Sequence, residues 1–144
     1  MGQRDQTDDY QIVWLIRRLF RAMGQKSTES LRDLGVTAAD RAAMEFLYPD
    51  RTLSVPEIAE RYQVSRQHVQ VTVNALLGKK LLATRDNPRH KRSPLIALTD
   101  DGKALFKRIR NRDKKIVEQL FAAIPASDRR ATQKTLEALL AQIT

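Results

Sequence analysis

Residues 54–98 read SVPEIAERYQVSRQHVQVTVNALLGKKLLATRDNPRHKRSPLIAL, and the order of signals inside this stretch decides the fold. Ser54, followed by Pro56 in the first turn and by Glu57, has the capping-box spacing that starts a helix. Ile58, Ala59 and Tyr62 give that helix one apolar stripe. After Tyr62-Gln63-Val64 a second cap, Ser65, opens a helix whose buried face is Val69, Thr72, Val73 and Leu76, the spacing of an amphipathic segment. Ala59 is small enough for two helices to cross closely and Val64 plugs the turn between them, as a helix-turn-helix requires. Helical periodicity alone also fits an αα-hairpin in any helical core, so the residues that follow must decide.

Residues 81–85 and 95–98 are short apolar-rich runs separated by Asp86-Asn87-Pro88-Arg89-His90-Lys91-Arg92-Ser93-Pro94. This reads as two antiparallel strands joined by a long exposed loop, with the prolines keeping the loop out of the ladder. Arg85, Arg89, Lys91 and Arg92 outnumber the single acid Asp86. A charge run is commonly just a solvated face. Here it closely follows a polar helix, and a polar helix beside a cationic hairpin fits adjacent grooves of duplex DNA.

With these residues in view, the segment resembles the winged helix-turn-helix of the MarR family of bacterial transcriptional regulators. RDNPRHKRSPLIALTDDG, residues 85–102, is similar to the family's wing signature, an Asp-x-Arg pair followed by an apolar strand and Leu-Thr-x-x-Gly. Leu98, Thr99 and Gly102 match that ending, and Arg92 falls where the wing-tip arginine sits. His90 stands in the place of the usual aspartate. Lys80 and Gln63 stand where glycine is common, with Gly78 near enough to help terminate the recognition helix. The resemblance runs from about residue 10 to residue 143 in length and order of elements, and its specific part is the wing.

Composition points the same way. At 144 residues the chain suits one domain able to bury a core. The formal net charge is +9, and residues 61–92 hold eight basic side chains against one acid, so the excess sits where the polyanion should bind. The absence of cysteine excludes disulfides, thiolate metal sites, cysteine nucleophiles and thiol redox sensing. Peroxide-sensing members of the resembled family rely on cysteine, so this chain must answer to something else if it answers at all. With only His68 and His90 a three-histidine zinc site cannot be built, and Asp100, Asp101 and Glu118 suit helix caps and solvated faces. No metal or cofactor is expected, and no enzyme activity. No apolar run reaches membrane-spanning length and the opening MGQRDQTDD has no apolar core, so no membrane association and a cytoplasmic location are expected.

The rest reads as helical scaffold. Ile12, Ile16, Leu19, Phe20 and Met23 repeat along a long opening helix, residues 8–34, that stops at Gly35. Thr37 caps a helix over residues 38–47, carrying Ala42, Ala43, Phe46 and Leu47 and ending before Pro49; Leu53 is placed in a one-bridge strand. Thr99, with Asp100 and Asp101 at the positive helix end, starts a helix expected to reach Ile124. Its cluster of Lys107, Arg108, Arg110, Arg112, Lys114 and Lys115 reads first as a solvated face and second as an extra phosphate contact. Ser127 is assigned the cap of a last helix with the apolar stripe Leu136, Leu139, Leu140 and Ile143.

The expected fold class is mainly α with a small β-wing, as one domain over residues 1–144. Residues 37–98 would form the winged helix-turn-helix lobe. Residues 8–35 and 100–144 would form a helical dimerisation lobe, the role the resemblance gives to the first and last helices. The expected function is a sequence-specific double-stranded DNA-binding transcriptional regulator, a homodimeric repressor of a palindromic operator modulated by an effector. Ser65, Arg66, Gln67, His68, Gln70 and Val71 would enter the major groove, and Arg85, Arg89, Lys91 and Arg92 would carry the wing into the neighbouring minor groove. The resemblance also implies a small aromatic or anionic effector between the lobes, for which Trp14, Phe20, Phe46 and Tyr48 are candidates, although aromatics at helical spacing are more often plain core. The alternative is a non-specific architectural DNA-binding protein without an effector.

Overall fold

A capping box fixes the start of each of two helices around which the rest is laid. In the computed structural model, which describes residues 6–144, the Thr37 side chain accepts from the Asp40 N–H while the Asp40 carboxylate accepts from the Thr37 N–H. Ser54 and Glu57 repeat the exchange. Residues 1–5, where the MGQRDQTDD stretch begins, lie outside the described residues. The elements are α1 (Gln6–Arg32), α2 (Ala38–Leu47), β1 (Leu53–Ser54), α3 (Val55–Tyr62), α4 (Arg66–Gly78), β2 (Leu82–Arg85), β3 (Leu95–Leu98), α5 (Asp100–Phe121) and α6 (Ala126–Ile143). The fold is mainly α with one antiparallel sheet in the order β1-β3-β2, registered by Leu53 opposite Ile96 and Leu82 opposite Leu98.

The chain forms two compact units, one ending at Ile109 and the other running from Arg110 to Thr144, so the boundary falls inside α5. In the first unit Met44, Leu47, Ile58, Val73, Leu76, Ile96 and Ile109 are fully buried, each contributing about 1.5–3 kcal/mol of apolar transfer. The buried face of α4 is Val69, Thr72, Val73 and Leu76, as its periodicity implies. On α2 Met44 is as fully buried as Leu47, although it is absent from the apolar positions expected for this helix, while Phe46 is only partly buried, with its ring edge-on to Tyr62.

Three helices of this unit end in the same way. Val36, Val64 and Leu81 donate their N–H groups to the carbonyls of Leu31, Ala59 and Leu76 at 3.3, 3.1 and 3.0 Å, the long back-bond of a Schellman motif. That bond needs a left-handed residue just before it, and Gly35, Gln63 and Lys80 take this conformation with φ of 66°, 57° and 59°. Only the first is a glycine. Gly78, read as the residue that helps stop α4, lies within its last turn, and Lys80 makes the reversal instead.

Thr99 joins the turn after α4 to the start of α5. Its hydroxyl donates to the Lys80 carbonyl at 2.8 Å and accepts from the Gly102 N–H at 3.1 Å, while its own N–H donates to the Leu81 carbonyl at 3.1 Å. Gly102 is buried against that carbonyl, and a Cβ there would overlap the Leu81 oxygen and stand 3.1 Å from Leu98 Cδ2.

In the second unit two expectations are corrected. Helix α5 ends at Phe121 rather than Ile124, because the Ile124 N–H turns back to the Phe121 carbonyl at 3.0 Å. Ser127 does not cap α6: the cap is Pro125, whose carbonyl accepts from Asp128 and Arg129, both at 3.1 Å, and no side chain closes this end. A proline is harmless there because its missing N–H would have had no helical partner. Leu136, Leu139, Leu140 and Ile143 of α6 are exposed, and so, in the first unit, are Ile12, Trp14, Ile16, Leu19, Phe20 and Met23 of α1.

Gly102→Ala is expected to destabilise the protein by about 2 kcal/mol or more, since the added methyl meets backbone rather than a movable side chain. Urea unfolding followed by circular dichroism measures it; a midpoint equal to wild type would mean that the junction between Leu81 and α5 is looser than described.

Candidate nucleic-acid interface

Helix α4 buries one face and leaves the other to solvent. Ser65 begins it with its hydroxyl oxygen accepting from the His68 N–H at 3.1 Å, which leaves that hydroxyl free to donate outward. Arg66, Gln67, His68, Gln70 and Val71 are all exposed, Val71 to 65%. An exposed valine among polar neighbours on an otherwise well-packed unit is surface to which a methyl or another apolar group can dock.

The hairpin places its cations against this face. A groove of about 400 Å³ lies between α4 and the hairpin, walled by Arg66, Gln67 and Gln70 on one side and by Thr84, Arg92 and Pro94 on the other, with Val73, Leu77 and Ile96 beneath. A second hollow of about 640 Å³ also contains Arg66 and is completed by Pro56, Glu57, Asn87, Arg89 and His90. Lys91 lines a third with Asp86, Pro88 and Pro94. Arg66, Gln67, Gln70 and Arg92 are therefore brought together around one groove, Arg89 shares a second hollow with Arg66, and Lys91 lines a separate one. Arg85 ends β2, exposed, opposite Leu95.

Among the described residues none of Arg66, Arg85, Arg89, Lys91 and Arg92 is paired with a carboxylate. Unpaired cations lining a concave surface focus positive potential into it, and such a surface attracts a polyanion over distances of a Debye length.

The loop between the strands is held by a residue that the sequence reading did not single out. The Asn87 side-chain amide donates to the Ser93 carbonyl at 2.8 Å and accepts from the Arg89 N–H at 3.1 Å, while its backbone carbonyl accepts from His90 at 3.3 Å. His90 in turn accepts from the Ser93 N–H at 3.1 Å. Asn87 thus ties both legs of the loop that carries Arg89, Lys91 and Arg92. The available signal was the Asn-Pro pair, a turn initiator whose partner across the loop only the fold reveals.

The four aromatics read as an effector pocket have separate surroundings. Trp14 has the Arg18 guanidinium 4.8 Å above its ring, Phe46 meets Tyr62 at 6.1 Å, Tyr48 meets Phe106 at 4.9 Å, and Phe20 is 79% exposed. Among the described residues no cluster of three or more His, Asp or Glu could hold a metal ion, and no helix is long and apolar enough to cross a membrane.

Residues 34–93, which contain α2, α3, α4 and most of the hairpin, match the model of the MarR family. An uncharacterized protein of Mycobacterium tuberculosis is 35% identical over 91 residues, 63% of this chain and 64% of the relative. The HTH-type transcriptional repressor MdtR of Bacillus subtilis is 31% identical over 94 residues, 65% of this chain and 61% of that protein. The matched segment thus spans a little under two thirds of the length of these relatives. Among solved structures, a MarR family transcription regulator at 26% identity superposes with a TM-score of 0.87, covering 96% of this chain and 92% of that one.

Removing the Asn87 amide by Asn87→Ala is expected to speed solvent exchange of the Arg89 amide about fivefold, the equivalent of a net hydrogen bond of ~1 kcal/mol, with little change in melting temperature because the loop lies outside the core. Hydrogen exchange read by NMR tests this, and an unchanged Arg89 rate would remove Asn87 from its place as the loop's tie.

Proposed function

We propose that the chain is a MarR-family protein and, from that premise, a sequence-specific double-stranded DNA-binding transcription regulator acting as a homodimeric repressor. One observation carries the reading: Arg66, Gln67 and Gln70 of α4 and Arg92 of the hairpin line a single open groove, with no carboxylate paired to either arginine among the described residues. Amide side chains on an exposed helix face supply the donor and acceptor pairs that read adenine edges in the major groove. Arg66 serves guanine or phosphate, and Val71 meets a thymine methyl. Arg92, together with Arg89 on the same loop, supplies the charge that a narrow minor groove attracts. The activity is binding rather than catalysis.

Dimerisation is supported by the apolar side chains that α1 and α6 each leave in water, Trp14, Leu19 and Phe20 on one and Leu136, Leu139, Leu140 and Ile143 on the other. A two-fold pair would set its recognition helices about one turn of B-DNA apart, which makes the operator a palindrome of that spacing. Repression has support in the name of the Bacillus subtilis relative. A small aromatic or anionic effector belongs to the same proposal, although Trp14, Phe20, Phe46 and Tyr48 have separate surroundings and line no common pocket among the described residues.

The salt dependence of binding separates the two parts of the interface. Arg92→Ala is expected to weaken binding to every sequence and to reduce the slope of log affinity against log salt by about one per protomer. Gln67→Ala is expected to leave the slope alone and to relax preference at one base pair, with a loss of about 1–3 kcal/mol on the preferred site. Fluorescence anisotropy over a salt series reads both, and an Arg92→Ala protein with wild-type affinity and slope would take the hairpin out of the interface. Footprint sequencing of genomic DNA with the purified protein tests the whole reading: palindromic protected sites support a regulator, and uniform protection supports an architectural DNA binder.

A further inference from the structure

The groove-facing side of α4 extends beyond the residues assigned to base reading. Arg66, Gln70 and Asn74 follow one another at intervals of four, so they share a face, and all three are exposed. Val69, Thr72, Val73 and Leu76 form the adjoining, buried side. Along this face the Gln70 Nε2 donates to the Asn74 Oδ1 at 2.8 Å.

That bond decides what Gln70 can present. A glutamine amide read from one edge offers a carbonyl acceptor, and from the other an N–H donor; free to rotate about its last torsion, it can exchange the two. With one N–H committed to the Asn74 oxygen, the Gln70 amide plane is fixed. When the committed hydrogen is the one anti to Oε1, the syn N–H and Oε1 remain side by side. This is the complement of the acceptor N7 and donor N6 that adenine displays in the major groove.

We propose that Asn74 is a positioning residue for base recognition, locking the Gln70 amide in the orientation that selects adenine. The inference rests on the DNA-binding reading above and adds a residue to it: Asn74 need not touch the base. Fixing the amide before binding removes the rotamer freedom that would otherwise be lost on contact and penalises bases that need the reversed edge.

Two variants separate positioning from mere presence. Asn74→Ala abolishes the acceptor and leaves the helix intact, alanine being the better helix former. Asn74→Asp keeps an oxygen that can only accept from Gln70, so the amide stays in the same orientation, while the added negative charge repels phosphate. Selection from random duplexes with the wild-type protein and with Gln70→Ala first identifies the base pair read by Gln70. Competition binding at that base pair then measures adenine against the other three bases.

Asn74→Ala is expected to lower the adenine preference on the order of tenfold, at the lower end of what a bidentate contact supplies. Asn74→Asp is expected to retain the preference while binding all sequences more weakly and with altered salt dependence. Circular dichroism of each variant checks that α4 has kept its helicity. Retention of the full adenine preference by Asn74→Ala, or its loss in Asn74→Asp, overturns the role of Asn74 and leaves the regulator reading standing. A wild-type protein that selects no sequence overturns that reading, and this inference with it.

Discussion

The geometry of the interface depends on how closely the start of α5 approaches the turn that follows α4. The Leu81 carbonyl accepts the Thr99 N–H and lies against Gly102, and the Thr99 hydroxyl bridges the Lys80 carbonyl and the Gly102 N–H. Each hydrogen bond contributes about 1 kcal/mol net, and more would be lost by leaving its buried partner unsatisfied. Leu98, buried beside them, ends the strand that runs back to the loop. The Leu-Thr-x-x-Gly pattern is therefore a junction with a physical reason for each letter: an apolar anchor, a hydroxyl that serves two backbones, and a residue without Cβ where two backbones nearly touch. Were this junction to open, Arg92 would no longer face Gln67 and Gln70 across one groove.

Charge works against compactness in the same region. The cations of α4 and the hairpin are held without carboxylate partners among the described residues, so their mutual repulsion must be offset by the fully buried apolar side chains beneath them. Screening by salt weakens repulsion within the protein and attraction to a polyanion together. The two amide side chains of the groove, Gln67 and Gln70, are neutral and escape this coupling.

Much of this arrangement was legible in residues because it is local. The buried face of α4 repeats at helical spacing, the cap at Thr37 and the capping box at Ser54 are read directly, and the hairpin strands stand out between prolines and cations. Gln63 and Lys80 stood where glycine is common, and both take the left-handed turn that glycine would have made easier. What could not be read depends on partners distant in sequence or hidden by chain geometry. Met44 belongs to the buried stripe Asp40, Ala43, Met44 and Leu47 of α2, whose start at a polar residue hides it beside the more apolar-looking Ala42 and Phe46. Asn87 gained its role from a carbonyl across the loop, at Ser93. Ser127 had the chemistry of a cap but lay too far into α6 once Pro125 had taken that position. The aromatic residues Trp14, Phe20, Phe46 and Tyr48 looked alike by composition and differ in surroundings.

The hairpin loop closes through its own amide and carbonyl groups around Asn87, while the strands below it keep their register by pairing with each other from Leu82–Leu98 to Arg85–Leu95. The tip and the ladder are thus mechanically separable. Insertions or charge changes between Asp86 and Pro94 can be absorbed by a loop that does not transmit strain into the sheet, whereas an insertion within α4 would rotate its buried face out of the core. Length and charge at this tip can therefore drift from one descendant to the next without anything beneath it being repacked.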